Sequence, residues 1–219
     1  MCFSATASFA AAGGLSAAGA VTLRQSPNRA SRLLGAIPLL FGIQQAIEGV
    51  IWISAGYPGI RATAASLYVF FSHILWPAYV PLAVGAVEPP GRRRSILKGF
   101  SLFGIGLSIW LASYIVRGPV TADPSCCGII YSLNVPDVPY GLAAYVFVTC
   151  FSCFVSSHKF IRVFGVTLMG ALAIALWSYR EAFYSVWCFF AAILSLIIYA
   201  HLRGDRPLWP RSVLRQRTR

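Results

Sequence analysis

Residues 33–56 read LLGAIPLLFGIQQAIEGVIWISAG, a run in which one charge, Glu48, and two amides, Gln44 and Gln45, stand among apolar side chains. A helix needs about 20 mostly apolar residues to cross a hydrocarbon core of roughly 30 Å. This run is long enough, and it has counterparts. Working outward, Phe3–Leu23, Thr63–Val87, Ile96–Val116, Tyr140–Ser157, Phe160–Trp177 and Ala182–Leu202 bring the total to seven. Ser26-Pro27-Asn28, Tyr57-Pro58-Gly59, Glu88-Pro89-Pro90-Gly91 and the segment from Gly118-Pro119 to Val138-Pro139 punctuate the series. The expected fold class is all-α: an integral membrane bundle of seven transmembrane helices over residues 1–203, with an outer loop at 117–139 long enough to hold structure of its own. A basic tail follows at residues 204–219.

Composition points the same way. Of 219 residues, 58% are hydrophobic and 11% charged, against roughly 45–50% and about 25% in soluble domains. A formal charge of +12 would suggest nucleic acid in a soluble protein, but here the cations are scattered between apolar runs, so no nucleic-acid partner is expected. Met1 to Leu23 carries no charge, so no cleavable signal peptide is expected either.

Cytoplasmic loops collect Lys and Arg. Fifteen of the eighteen basic residues fall on one side of a seven-span arrangement, in the first, third and fifth loops and the tail; only Arg61, Arg117 and Arg180 fall on the other. The N-terminus is therefore expected outside and the C-terminus in the cytoplasm, in a multi-pass protein of the inner (plasma) membrane. A six-span arrangement would break the alternation. The arginine-rich tail could also lie against anionic lipid, although a topology signal with a solvated end accounts for it. The small residues of Ala10–Gly14 and Ser16–Ala20 predict a tightly packed first helix.

Among the six acids only Glu48 falls inside a predicted span, and an intramembrane carboxyl is costly enough to suggest function. Gln44, Gln45 and Trp52 share its helix face by spacing. The bland alternative is a carboxyl that only braces a neighbouring helix by hydrogen bonds. His73 is the one histidine well inside a span, four residues before Pro77, which cannot donate to the His73 carbonyl. At 1.5 Å per residue, Glu48 lies about 12 Å and His73 about 15 Å from the outer ends of their helices. The short connection makes these helices antiparallel neighbours, so the two side chains can meet. Ser185, Tyr184, Trp187 and Cys188 of the last helix reach the outer half, with Cys2, Ser4, Thr6 and Ser8 at the rim. A polar pocket is expected there.

Cys2, Cys126 and Cys127 all lie outside on this reading, where an oxidising compartment would allow a disulfide. Cys150 and Cys153 have CxxC spacing but fall in the inner half of the fifth helix. Neither lysine is in the seventh helix, which excludes a rhodopsin-type retinal linkage, and no His-x-x-x-His pair is present there, so a three-histidine zinc site is unavailable. Glu48, His73, Cys188 and Cys2 could compose another transition-metal site. There is no P-loop, G-x-S-x-G or H-E-x-x-H motif.

The opening MCFSATASF (residues 1–9), PLLFGIQQAIEG (residues 38–49) and VWCFFAA (residues 186–192) together resemble a bacterial family of uncharacterised polytopic membrane proteins. The resemblance implies the seven-helix architecture and no activity. Three functions are expected, in order. The first is binding of a small molecule, lipid or ion by Glu48 and His73, oriented by Gln44, Gln45, Trp52 and Trp187, for sensing or transport. The second is a metal-dependent intramembrane enzyme acting on a lipid-like substrate. The third is an extracytoplasmic thiol-disulfide protein.

Overall fold

Seven helical rods and one β-hairpin make up the described residues, 4–125, 128–136 and 139–203, of the computed structural model. The rods are α1 (Ala5–Gln25), α2 (Arg29–Ile53), α3 (Pro58–Val87), α4 (Arg92–Ile115), α5 (Tyr140–Val155), α6 (Lys159–Ser178) and α7 (Arg180–Arg203). Among the described residues, all but α5 are long and apolar enough to cross a membrane, six in total. Their ends follow the punctuation. Ser4 caps α1 by accepting the Ala7 N–H at 3.3 Å, and Asn28 Oδ1 caps α2 by accepting the Ser31 N–H at 2.9 Å. Pro58 occupies the first turn of α3, where its missing N–H costs nothing. Gly91 precedes α4 at φ 149°, a conformation other residues rarely adopt. Residues 204–219, the expected tail, lie outside the described residues.

α1 and α2 approach so closely that a Cβ on Gly19 would lie 2.5 Å from the Leu39 backbone nitrogen, and one on Gly42 2.9 Å from that of Ser16. The tight packing expected of α1 is therefore one-sided, since Gly13 and Gly14 face open space.

The mostly helical bundle carries one addition, in the segment expected to be long enough to hold structure of its own. Between α4 and α5 the chain forms an antiparallel hairpin of β1 (Thr121–Ser125) and β2 (Gly128–Ser132), in register from Thr121 opposite Ser132 to Ser125 opposite Gly128. The reason is local. Ile129, Ile130 and Tyr131 favour extended backbone, and Gly128 at φ 155° lets the strand press on α7, where a Cβ would meet that of Ala182 at 2.8 Å. The hairpin buries Ala122, Ile129 and Tyr131, and the Tyr131 ring stacks on Tyr68 of α3 at 4.5 Å, 6° from parallel.

Pro77 acts differently from a simple kink. Before it, Phe70–Leu75 is wound as a π-helix, with the Trp76 N–H donating to the Phe71 carbonyl. In that register the partner missing at Pro77 belongs to Ser72 rather than His73, and the Tyr145 hydroxyl of α5 donates to the Ser72 carbonyl at 2.6 Å. α5 has its own π stretch at Phe147–Phe151. Replacing Tyr145 by phenylalanine leaves this carbonyl unpaired and should destabilise the protein by about 1–2 kcal/mol, read as a lowered thermal midpoint in detergent; an unchanged midpoint would mean the bond contributes nothing.

Away from the hairpin, Glu88 at the end of α3 is buried and accepts from Ser156 Oγ at 3.0 Å and from the Ser157 N–H at 3.0 Å, while His158 Nε2 lies 3.1 Å from the Val87 carbonyl. The carboxylate thereby fixes the turn between α5 and α6.

Candidate functional site

α2 turns Gln44, Gln45 and Glu48 inward, since spacings of three and four share a helix face, and all three are buried. Gln45 Nε2 donates to Glu48 Oε2 at 3.0 Å, Ser185 Oγ of α7 donates to Glu48 Oε1, and Trp76 Nε1 of α3 donates to Gln44 Oε1 at 2.7 Å. Among the described residues no Lys, Arg or His forms an ion pair with Glu48. Four buried polar atoms here have no hydrogen-bond partner: Gln44 Nε2, Gln45 Oε1 and the hydroxyls of Tyr68 and Tyr131. Both tyrosines lie within electrostatic range of Glu48, and Cys188 stands beside Tyr68 and Gln44 without reaching hydrogen-bond geometry with either unpartnered atom. Burial, with Glu48 and Cys188 nearby, holds the Tyr131 phenol well above its ordinary range, so it remains a neutral hydroxyl.

Tyr131 and Cys188 have a second side. Both line a cavity of about 520 Å³ at the hairpin end, together with His73, Tyr145, Tyr184 and Trp187, a size within the range typical of small-molecule sites. Arg180 and Glu181 also belong to its lining. His73 Nδ1 lies 2.8 Å from Ser72 Oγ and its ring leans on Tyr184 at 4.8 Å, which leaves Nε2 for an occupant. Trp187 is anchored by donating from Nε1 to the Leu168 carbonyl at 3.3 Å and meets Tyr145 edge-on at 5.6 Å.

The expected site residues therefore divide. His73, Trp187 and Cys188 line the cavity; Gln44, Gln45 and Glu48 form the buried cluster adjoining it; Trp52 is half-buried in apolar packing and lines neither. No hydrogen bond joins Glu48 to His73 among the described residues, because Glu48 is engaged by Gln45 and Ser185 and His73 by Ser72. The expected transition-metal set finds no support among the described residues. Among the described residues no three His, Cys, Asp or Glu side chains gather where they could share an ion. Cys2, the fourth member, lies outside the described residues, as do the disulfide candidates Cys126 and Cys127. Cys150 and Cys153 are buried and free, and Cys153 bonds the Thr149 carbonyl of its own helix at 3.4 Å.

Sequence reasoning missed the tyrosines. Tyr145 had a signal, a hydroxyl in an apolar run at the depth of the expected pocket. Tyr68 and Tyr131 had none, since only the hairpin brings them together.

Fold and site define a class: a bundle of apolar helices with a hairpin-covered cavity adjoining a buried carboxyl cluster. Within that class the chain belongs to a family of unknown function (DUF6629), whose sequence model matches residues 1–212. No curated protein and no solved structure matches it.

Proposed function

We propose that the chain is a seven-span protein of the inner (plasma) membrane, N-terminus outside and C-terminus cytoplasmic, that binds a small amphiphilic ligand in the hairpin-end cavity, as a sensor or transporter does. The observation that carries the reading is the cavity itself, with aromatic walls and one imidazole nitrogen available among them. Such a lining suits a molecule with an apolar body and one hydrogen-bonding group.

Support for the membrane comes from the surface. Leu102, Ile109, Val166 and Ile174 are exposed on the outside of the bundle, more apolar surface than water tolerates in a monomer. Tyr57, Tyr140 and Trp177, all exposed, sit at the hairpin ends of α2 and α3, α5 and α6, where a belt of interfacial aromatics belongs. Counting the shorter α5 as a span keeps Lys159 and Arg162 on the cytoplasmic side.

Solvent extraction of protein purified in mild detergent, followed by mass spectrometry, should recover a small molecule near one equivalent. Trp187→Ala and His73→Ala should each reduce its occupancy at least roughly tenfold, the effect of losing one buried anchor or one hydrogen bond left unpaired. Recovery of nothing but bulk lipid, equal in wild type and variants, would sink the reading.

A further inference from the structure

The cluster adjoining the cavity has a chemistry of its own. Glu48 is a single buried carboxyl whose hydrogen-bond partners are neutral, without an ion-pair partner among the described residues, and a buried charge of this kind requires compensation. A proton on the carboxyl would neutralise it and give it one O–H to donate, but at least two of the three oxygens, Gln45 Oε1 and the Tyr68 and Tyr131 hydroxyls, would stay without partners. These three atoms are oxygens with free lone pairs, and Gln45 Oε1 belongs to the amide already bonded to Glu48 at 3.0 Å. An alkali cation can use each of these atom types, because hard cations take carboxylate, amide and hydroxyl oxygens together. The charge count selects the class: one carboxylate balances one positive charge, so the ion is monovalent. Such a set is all oxygen, unlike the mixed nitrogen, sulfur and oxygen set expected from Glu48, His73, Cys188 and Cys2. Gln44 Nε2 is a donor and takes no part; Cys188 stands beside it.

We propose that Glu48, Gln45, Tyr68 and Tyr131 form a binding site for a monovalent alkali cation adjoining the cavity. Tyr131 belongs to the hairpin, so an ion held there would tie β2 to α2 and α3. The site stands independently of what the cavity binds.

The test uses the full chain in detergent at constant ionic strength, with sodium, potassium or lithium chloride exchanged against choline chloride and no other ligand added. The expected result is a saturable rise in thermal midpoint with at least one alkali ion that choline does not reproduce. It should vanish in Glu48→Gln. Tyr68→Phe keeps the ring packing and should raise the half-saturating concentration roughly tenfold, the value of about one charge-assisted contact. Should Glu48→Gln fail to fold, Tyr68→Phe and Tyr131→Phe carry the test. Equal midpoints in alkali and choline salts, or a response of undiminished affinity in the tyrosine variants, would overturn the proposal.

Discussion

Replacing Gly19 by leucine will abolish the folded bundle. At this point a Cβ alone would lie 2.5 Å from both the Leu39 nitrogen and its Cβ, so the obstruction is backbone and no rotamer change relieves it. Inserting carbon into a packed core ordinarily costs about 1–3 kcal/mol; forcing two helices apart exceeds the upper figure. The expected outcome is loss of the monodisperse peak in detergent gel filtration. Gly13→Ala on the open face of the same helix is the control. Its new methyl meets nothing within 4 Å, and removing a mid-helix glycine in water is worth up to about 1 kcal/mol, so its thermal midpoint should hold or rise. A Gly19→Leu protein that elutes and melts like the parent would refute the close approach of α1 and α2.

Truncating Glu88 to alanine should be nearly as damaging. Its carboxylate accepts from the Ser156 hydroxyl and the Ser157 N–H, and deleting it strands the hydroxyl of buried Ser156 and frees the N–H of exposed Ser157. An unpaired buried donor costs about 1–3 kcal/mol, and the exposed Ser157 N–H, which water can reach, adds less, for a total loss of roughly 1–4 kcal/mol. Glu88→Gln retains one acceptor oxygen and should recover part of the loss. Thermal melts of the pair distinguish this from generic damage, since equal destabilisation by both variants would mean that hydrogen-bond acceptance is not what Glu88 contributes.

Much of the helical frame was legible in the sequence. The stretch Thr63–Val87 corresponds to α3, and Phe160–Trp177 to α6, each to within a few residues, because apolar runs of helix length bounded by Pro and Gly or by polar and charged residues leave few alternatives. The hairpin was not legible, since its register depends on where Gly128 can press against α7. The neighbourhood of Glu48 was half legible. Spacing put Gln44 and Gln45 on its face, and depth brought Ser185 close, but that Glu48 bonds Gln45 and Ser185 while His73 bonds Ser72 rests on side-chain turns that depth cannot resolve. The free carbonyl expected at His73 shifted to Ser72 because the helix before Pro77 is π rather than α.

That change of winding absorbs a shift of phase. Each π stretch, Phe70–Leu75 in α3 and Phe147–Phe151 in α5, accommodates an inserted residue without interrupting its rod. Deleting Ile74 would restore ordinary α winding and leave the flanking faces nearly in phase, since seven α steps of about 100° turn the chain about as far as eight steps through the π stretch. Tyr68 and Trp76 would still both face α2, and the residue four before Pro77 would again be Ser72. In these two helices a span one residue shorter would build the same bundle around the same interior, so the site keeps its register through a change of chain length that would turn the faces of an uninterrupted α-helix by about 100°.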